Sequence, residues 1–461
     1  MTGDPAAEAI AAPAALVVAA APGETRLARL DHGRLTAVSH HRPWAADPGA
    51  VLLGRLGARL PDGGAVVDLG PLGTGVLDAR EMKGERPPDG AAVMVQVRQA
   101  ARTEPHGGVK AARLTRAVAV TTPRLALGGR RPGAAVSERI TDAGERARLL
   151  DLLKGMVAKG ESLVARTRAA GADPGALAAD LASLRAAWAD LAARAEASPA
   201  PALLRPPPVD WDALLGPADP PPARIVVDDA AAVPGLTADL AAWLDPVPPV
   251  ALHHDPADLF EATGAAEALD AALAPVVPLP GGGRLIVEPT AALVAIDVDA
   301  GAGDARTANA EALADLPRTV RLRGLAGAIL VDLIPGGGPR LPGPARRALE
   351  AALAADPATA RLAGVSRLGL LEISRERRGP ALASVATGPA AQALAALRAA
   401  DRESRATATT ALALDVSPAA AALLDGPLAT TVATLERRRG LRLVVRPGTT
   451  PVDAPPRVTP P

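Results

Sequence analysis

Two apolar segments in the second half of the chain each end in a carboxylate. Residues 293–296 (Leu-Val-Ala-Ile) precede Asp297, and residues 328–331 (Ala-Ile-Leu-Val) precede Asp332. An ionised Asp inside a buried strand is costly unless something pairs with it. If the two strands are neighbours, Asp297 and Asp332 can share one Mg²⁺, because hard cations take oxygen ligands and often use only one or two protein carboxylates. Such a site suits phosphodiester chemistry.

The elements around these residues have to bring them together. Asp297 and Asp299 are two apart on a predicted strand, so their side chains point to the same face. Between the two strands, residues 309–320 have a helical pattern that Pro317 interrupts. A strand-helix-strand unit places its strands side by side and parallel, with ligands at their carboxyl ends. A more ordinary interpretation is that these Asp residues cap helices or form turns, and the pattern alone leaves both interpretations open.

The composition limits the classes of protein to consider. At 461 residues the chain is too long for one core, so about three domains are expected. The 50 basic and 50 acidic residues cancel, so any site for a polyanion has to be local. The absence of cysteine excludes disulfides and thiolate metal sites. The aromatic residues are Trp44, Trp188, Trp211, Trp243 and Phe260.

No targeting or membrane segment is predicted. No apolar run reaches the roughly 18 residues that a membrane span needs. The Ala-rich segment 11–21 has no basic region before it, which argues against a signal peptide. We therefore expect a cytoplasmic protein with no membrane partner.

Periodicity predicts an alternation of strand-rich and helical regions. Five or so short strands in residues 48–122 suggest a small barrel of the OB type. Residues 198–208 read as a Pro-rich connector. Residues 405–447 have a strand-helix-strand pattern, and we expect the tail 448–461 to be disordered. Apolar residues three and four apart predict helices over 145–157 and 174–195.

Long motifs resemble the ribonuclease E/G family. The run from Gly281 to Asp299, which contains Ile286-Val287-Glu288 and Ala295-Ile296-Asp297, is similar to the family's catalytic core. Residues 48–122 resemble its OB-fold insertion, and segments near 136–140 and 164–167 resemble its sensor of RNA 5′ ends. Segments that keep the family's order after the core are 309–312, 321–327, 329–334 and 366–375. The resemblance covers roughly residues 14–447.

The resemblance implies an α/β multidomain fold. It combines an RNase H-like domain, an inserted OB-fold barrel with a 5′-sensor, a DNase I-like catalytic subdomain and a small C-terminal α/β domain. The expected boundaries are 1–47 with 205–275 for the RNase H-like domain, 48–122 for the OB fold, 123–204 for the 5′-sensor, 276–385 for the catalytic domain and 386–461 for the C-terminal domain with its tail.

The resemblance also implies an activity, that of an Mg²⁺-dependent (or Mn²⁺-dependent) endoribonuclease acting on single-stranded RNA in RNA processing or decay. Asp297 and Asp332 match the family's two metal-holding carboxylates. Asp299 stands where the family usually has an Asn that helps to position the attacking water. An Asp there could be a third ligand or a base, or it could repel the phosphate, and we count it with the catalytic residues.

Two further sets of residues follow from the resemblance. Arg166 and Thr167 match the pair that recognises a 5′-monophosphate, and a guanidinium with a hydroxyl suits phosphate oxygens. Lys110 matches an RNA-contact position, and Arg113 is a second RNA-binding candidate. At positions 67 and 76, Val replaces the family's Phe, so we expect the barrel to hold RNA weakly and in a salt-sensitive way.

The sequence leaves alternatives open. Without cysteine, the family's usual zinc link between subunits cannot form, so we expect no structural zinc, and a homodimer would need another interface. A catalytically weakened paralogue that binds RNA without efficient cleavage would fit the same motifs. A DNase built on the same catalytic subdomain is a third hypothesis.

Overall fold

A computed structural model shows a mixed α/β chain built from several sheets. It describes residues 4–83, 87–103, 108–216, 219–255, 257–335, 341–407 and 409–460. Across these ranges, helices pack on four of the sheets, and a further sheet closes into a barrel. None of the helices within them combines the length and the apolar character needed to cross a membrane.

The first sheet contains strands from both ends of a long insertion. An N-terminal antiparallel meander pairs in parallel with a strand more than 180 residues later, where Leu16 lies opposite Ile225. The spatial order is Val250–Leu252, Arg224–Val227, Ala14–Ala21, Glu24–Asp31 and Arg34–His41. The neighbouring helices are Pro5–Ala11, Trp211–Leu214, Val233–Ala241, Leu259–Ala262 and Ala265–Leu273.

The inserted residues begin with a closed five-stranded barrel, which is consistent with an OB fold and with the prediction for 48–122. The barrel strands in order around it are Val51–Arg59, Ala65–Asp68, Thr74–Leu77, Ala112–Thr115 and Ala92–Gln99, and the last pairs with the first. A short pair, Arg102–Thr103 with Val109–Lys110, extends from it.

The sequence predicts that the Pro-rich segment 198–208 is a connector, but in the structure this segment contains a strand. Its residues Ala202–Arg205 form a strand that pairs with the first barrel strand, with Leu203 opposite Leu52. Leu204 is buried among the residues of the neighbouring core. The apolar stretch Ala-Leu-Leu therefore outweighs the prolines on either side of it.

A four-stranded sheet follows the barrel, and two helices pack on it. The helices are Ala143–Met156 and Pro174–Ala197, close to the predicted ranges. The strands in spatial order are Ala119–Thr121, Leu125–Gly128, Ser162–Ala165 and Gly133–Val136. Single 3₁₀ turns elsewhere in the chain are Gly70–Leu72, Ala79–Met82, Thr167–Ala169 and Ala230–Ala232.

The sheet that contains Asp297 and Asp332 has six strands. Its two central strands are parallel neighbours, as the sequence predicts. Alternate residues, Ile296 and Val298 on one strand and Ile329 and Val331 on the next, are buried in the core under the helices. The strands in order are Val276–Pro278, Arg284–Pro289, Val294–Asp299, Gly327–Asp332, Leu370–Arg375 and Ala360–Val365, with helices Ala305–Leu322 and Gly343–Ala354.

Pro317 does not interrupt the helix between the two central strands. The helix is continuous from Ala305 to Leu322 and contains Pro317 within it. Leu316 and Val320 on either side are buried against the sheet. Burial of this apolar face therefore outweighs the cost of one proline, which removes a single hydrogen-bond donor.

The C-terminal residues form a three-stranded sheet with helices on it. The segment 448–461 was predicted to be disordered, but Arg457–Thr459 pairs with Ala411–Val416. Buried Glu24 joins this region to the first sheet, because its carboxylate accepts from Arg398 Nη1 at 2.8 Å and from Arg42 Nε at 2.8 Å. The remaining elements are the strand Arg442–Pro447 and the helices Leu382–Ala386, Gly388–Ala406, Pro418–Asp425 and Ala429–Arg439.

Candidate metal and RNA sites

Asp297 and Asp332 lie side by side on the open face of the six-stranded sheet. They are register partners in the parallel pair, so their Cα atoms are about 4.8 Å apart across the ladder. Both residues are exposed, whereas their neighbours in sequence point into the core. In the same row, Ile286 lies beside Asp297 and Leu370 beside Asp332. The two carboxylates therefore form a pair with apolar neighbours on both sides.

Asn309 fixes the chain just after Asp332. Its amide Nδ2 donates to the Ile334 carbonyl at 2.9 Å, and its Oδ1 accepts from the Ile334 amide N–H at 3.0 Å. Both backbone polar groups of Ile334 are thus satisfied by one side chain. The helix that connects the two strands thereby holds the end of the strand that contains Asp332.

Asp299 shares the face of Asp297, but its carboxylate is engaged by other groups. Arg284 lies opposite Asp299 in the antiparallel register and donates to Oδ2 from Nε at 2.9 Å and from Nη2 at 2.5 Å. The Gly301 N–H donates to Oδ1 at 2.8 Å. The hydrogen bond from Gly301 and the one from Arg284 hold the pKa of Asp299 below its usual value. Asp299 is therefore an ionised, partnered group beside the pair.

Glycines allow the loops at this end of the sheet to approach each other closely. Gly301 has a φ of +57°, and a Cβ there would lie 2.7 Å from the Gly282 carbonyl oxygen. A Cβ on Gly283 would lie 2.9 Å from the Asp299 carbonyl oxygen. Glu311 accepts from the Gly281 N–H at 2.9 Å and attaches this loop to the helix. The backbone that surrounds Asp299 is therefore closely supported.

The donor set fits a hard divalent cation. Within the described ranges, no three His, Asp or Glu side chains lie together in an arrangement that could hold a metal ion. The open face offers two adjacent, exposed carboxylates, and Mg²⁺ is often bound through one or two carboxylates with water and substrate phosphate completing the octahedron. Asp297 and Asp332 are the residues that would hold it.

Arg166 lies in a different place, at a cavity of about 800 Å³ that is lined by several parts of the chain. Its Nη1 donates to the Thr122 carbonyl at 2.5 Å, and its Nη2 donates to Asp212 at 3.0 Å. Arg378 binds the same Asp212 oxygen at 2.9 Å. Burial raises the pKa of Asp212, but Arg378 and Arg166 outweigh it and lower that pKa overall. Thr167 begins the 3₁₀ turn that follows Arg166.

The barrel differs from the expected RNA surface. Val67 is fully buried in the barrel core, so it does not occupy a position from which a side chain could stack on a base. Val76 is half-buried and lies opposite Val66. Arg113 is half-exposed and donates to Asp78 at 2.7 Å, and Lys110 is exposed on the short strand pair. In this chain, therefore, Val67 offers no surface on which a base could stack.

Three residues that sequence analysis missed contribute to these sites. Arg284 lies within the motif 281–299, but no role was predicted for it, although the short connection of its hairpin with Asp299 could have indicated the pairing. Asp212 and Arg378 lie 46 and 212 residues from Arg166 in sequence, and no local signal connects them. Asp212 is brought to the cavity by the short helix Trp211–Leu214.

Comparisons with known proteins point to one family. The model of the ribonuclease E/G family matches residues 125–378, more than half of the chain. Ribonuclease E of Nostoc sp. (strain PCC 7120) is 33% identical over 305 residues, which cover 62% of this chain and 43% of the relative. Ribonuclease E of Escherichia coli (strain K12) is 28% identical over 306 residues, covering 64% and 28%. Ribonuclease G of Salmonella typhimurium is 28% identical over 411 residues, covering 79% and 80%. The matched part is thus less than half the length of these ribonuclease E relatives.

Proposed function

Since this chain belongs to the ribonuclease E/G family, we propose that it is an endoribonuclease that uses Mg²⁺ or Mn²⁺ to hydrolyse single-stranded RNA in RNA processing or decay. The observation that supports this most directly is the register pairing of Asp297 with Asp332 on an open sheet face. Mg²⁺ at phosphate-binding sites is often held by only one or two carboxylates, so two carboxylates at one row of a parallel pair are a sufficient protein ligand set for a phosphodiester-cleaving metal site.

The residues of the chain have distinct parts in this proposal. Asp297 and Asp332 hold the cation, which when bound supplies polarisation of the scissile phosphate and a lower pKa for attacking water. Asn309 binds the backbone two residues after Asp332 and so helps to hold the Asp332 carboxylate in position. The pair lies on an open sheet face, with apolar Ile286 and Leu370 on either side of it.

The proposal extends to the domains. We assign the five-stranded first sheet to an RNase H-like domain, the barrel to an OB-fold RNA-binding domain, and the four-stranded sheet to a 5′-sensor. The six-stranded sheet is then the DNase I-like catalytic subdomain. The antiparallel meander joined in parallel to a distant strand supports the first assignment, and the closed barrel order supports the second.

We propose Arg166 and Thr167 as the site that recognises an RNA 5′-monophosphate. Arg166 lines a cavity large enough for a nucleotide, and Arg378 adds a second guanidinium next to it. Lys110 and Arg113 are proposed RNA contacts of the barrel. Their contribution is electrostatic, so it should weaken as salt rises.

The test is cleavage of a fluorescent A/U-rich oligonucleotide carrying a 5′-monophosphate. We expect cleavage that requires Mg²⁺ or Mn²⁺ and falls about 100-fold or more in Asp297→Asn and in Asp332→Asn. The matched control is Glu288→Gln, which removes an exposed carboxylate from the same face, one row away from Asp297. Cleavage that persists in Asp297→Asn, or that EDTA leaves unchanged, would overturn the proposal.

A catalytically weakened RNA-binding paralogue is the second candidate. Two observations favour it: Asp299 adds a carboxylate beside the pair, and Val67 is in the barrel core where no base can stack. Wild-type protein that binds RNA without cleaving it would support this candidate. Competition between RNA and single-stranded DNA of the same sequence distinguishes these two RNA-directed candidates from a DNase, which would prefer the DNA.

A further inference from the structure

Arg284 lies on the strand next to Asp297 and Asp299 and forms the ion pair with Asp299. We infer that Arg284 is a positioning residue that neutralises Asp299 and keeps its carboxylate out of the metal site formed by Asp297 and Asp332. The inference rests on the proposed function, because it concerns the charge and the ligands of that same site.

The geometry of the pair supports this role. Arg284 and Asp299 are direct register partners, so the guanidinium approaches the carboxylate from the neighbouring strand. Nε and Nη2 both donate to Oδ2, and the Gly301 N–H donates to Oδ1, so both oxygens of Asp299 have donors. The carboxylate is therefore held by its register partner and by the turn that follows its own strand. Asp297, one row along, faces apolar Ile286 instead.

Charge gives the pair a functional consequence. Asp297, Asp299 and Asp332 together carry three negative charges on one sheet face. Without a cationic partner, the charge of Asp299 would repel the anionic phosphate of RNA. The Arg284 guanidinium cancels that charge.

If Arg284 only stabilised the fold, its removal would lower the stability of the protein and leave metal binding unchanged. Arg284 is 51% exposed and Asp299 is 35% exposed, and ion pairs at such positions add little to folding stability. Removal of Arg284 should therefore change metal and phosphate binding much more than it changes the stability of the fold.

The experiment measures Mn²⁺ binding to the full chain by electron paramagnetic resonance without RNA, and then RNA cleavage. In Arg284→Ser, Asp299 is released as a third carboxylate, so we expect Mn²⁺ to bind about 3- to 10-fold more tightly and cleavage to slow about 10-fold. The double variant Arg284→Ser/Asp299→Asn should return both quantities to within about 2-fold of wild type. Arg284→Lys, which keeps the positive charge, should stay close to wild type in Mn²⁺ affinity.

The matched control is Arg346→Ser. Arg346 has the same 51% exposure and donates to Glu350 at 2.9 Å on a helix behind the sheet, so its loss should change neither quantity. Unchanged Mn²⁺ affinity and cleavage in Arg284→Ser, or no recovery in the double variant, would overturn the inference.

Asp297→Asn in the same binding assay separates the two proposals. If Asp297→Asn keeps its Mn²⁺, the proposed function fails. If it loses Mn²⁺ while Arg284→Ser is silent, only the inference about Arg284 fails.

Discussion

Replacement of Asn309 by Ala should loosen the strand end that follows Asp332. Asn309 makes two hydrogen bonds, of 2.9 and 3.0 Å, to the carbonyl and the N–H of a single residue, Ile334. Alanine removes both and leaves the Ile334 peptide groups without these partners. The expected consequence is local fluctuation next to one of the two proposed metal ligands, with the rest of the sheet unchanged.

The magnitude follows from the burial of these groups. Asn309 and Ile334 are both partly buried, so water can replace the lost bonds only in part. Each bond should then be worth about 1 kcal/mol, giving about 2 kcal/mol for the local structure. For the Ile334 N–H alone, about 1 kcal/mol corresponds to amide exchange that is about 5-fold faster. A displacement of the catalytic group by about 1 Å is enough to slow catalysis about 100-fold.

Hydrogen–deuterium exchange of peptides ending near residue 335 measures the first effect, and oligonucleotide cleavage measures the second. Asn309→Asp is the matched control, because it keeps an acceptor for the Ile334 N–H but has no donor for the Ile334 carbonyl. We expect that Asn309→Asp retains protection of the Ile334 amide while Asn309→Ala loses it.

Equal exchange in wild type and Asn309→Ala would refute the reasoning, since the Ile334 amide would then be protected by something other than Asn309. Faster exchange over the whole of Gly327–Asp332 would also count against it. In that case the side chain would be supporting the entire strand and not its end.

Three further predictions concern buried charge. Burial alone raises the pKa of Glu24, but His40 and the adjacent arginines outweigh it and hold the pKa far below its usual value. Stability from this group is therefore present above about pH 4.3 and lost as pH falls below it, and Glu24→Gln should cost about 3 kcal/mol in urea unfolding at pH 7. Burial raises the pKa of Asp228 to about 6, so its contribution is present below about pH 4 and lost as pH rises through 6; Asp228→Asn should be about 2 kcal/mol more stable at pH 7 and equal to wild type at pH 4. Asp212→Asn should strengthen binding of a 5′-monophosphorylated oligonucleotide about 3-fold, measured by fluorescence anisotropy, because it frees Arg166 from its carboxylate partner, and its preference over a 5′-hydroxyl oligonucleotide should narrow.

Local patterns were sufficient for the elements that position Asp297 and Asp332. The two apolar runs predicted the strands in which these residues lie, and the helix between them made the parallel pairing the expected one. The same reasoning overestimated Pro317, because a local rule about proline does not include the burial of Leu316 and Val320. The same reasoning also treated 198–208 as a connector, because a strand that forms by pairing with the barrel cannot be recognised from its own residues alone.

The sequence patterns could not predict which groups these charged residues bind. Arg284 is close to Asp299 in sequence, and its pairing depends on the register of one hairpin, which shifts by a whole residue with a small change in the turn. Asp212 lies on the helix Trp211–Leu214, which packs on the first sheet, whereas Arg166 follows the strand Ser162–Ala165 of the four-stranded sheet, so their contact depends on how distant parts of the chain pack together. Motifs identify which side chains carry charge, whereas the net field at a site depends on neighbours that the motifs do not contain.

The proposed phosphate site and the proposed metal site share this feature. Arg166 already binds Asp212, and Asp299 already binds Arg284, as the balance of 50 acidic and 50 basic residues would favour. RNA must therefore compete with internal partners at both places. A tethered carboxylate competes at high effective concentration, but it carries one charge, whereas a 5′-monophosphate carries close to two above its second pKa of about 6. Displacement of Asp212 from Arg166 and Arg378 should consequently favour the monophosphate over an internal phosphodiester, which has only one charge. An internal competitor of this kind would lower affinity for RNA in general and at the same time sharpen the preference for its 5′ end.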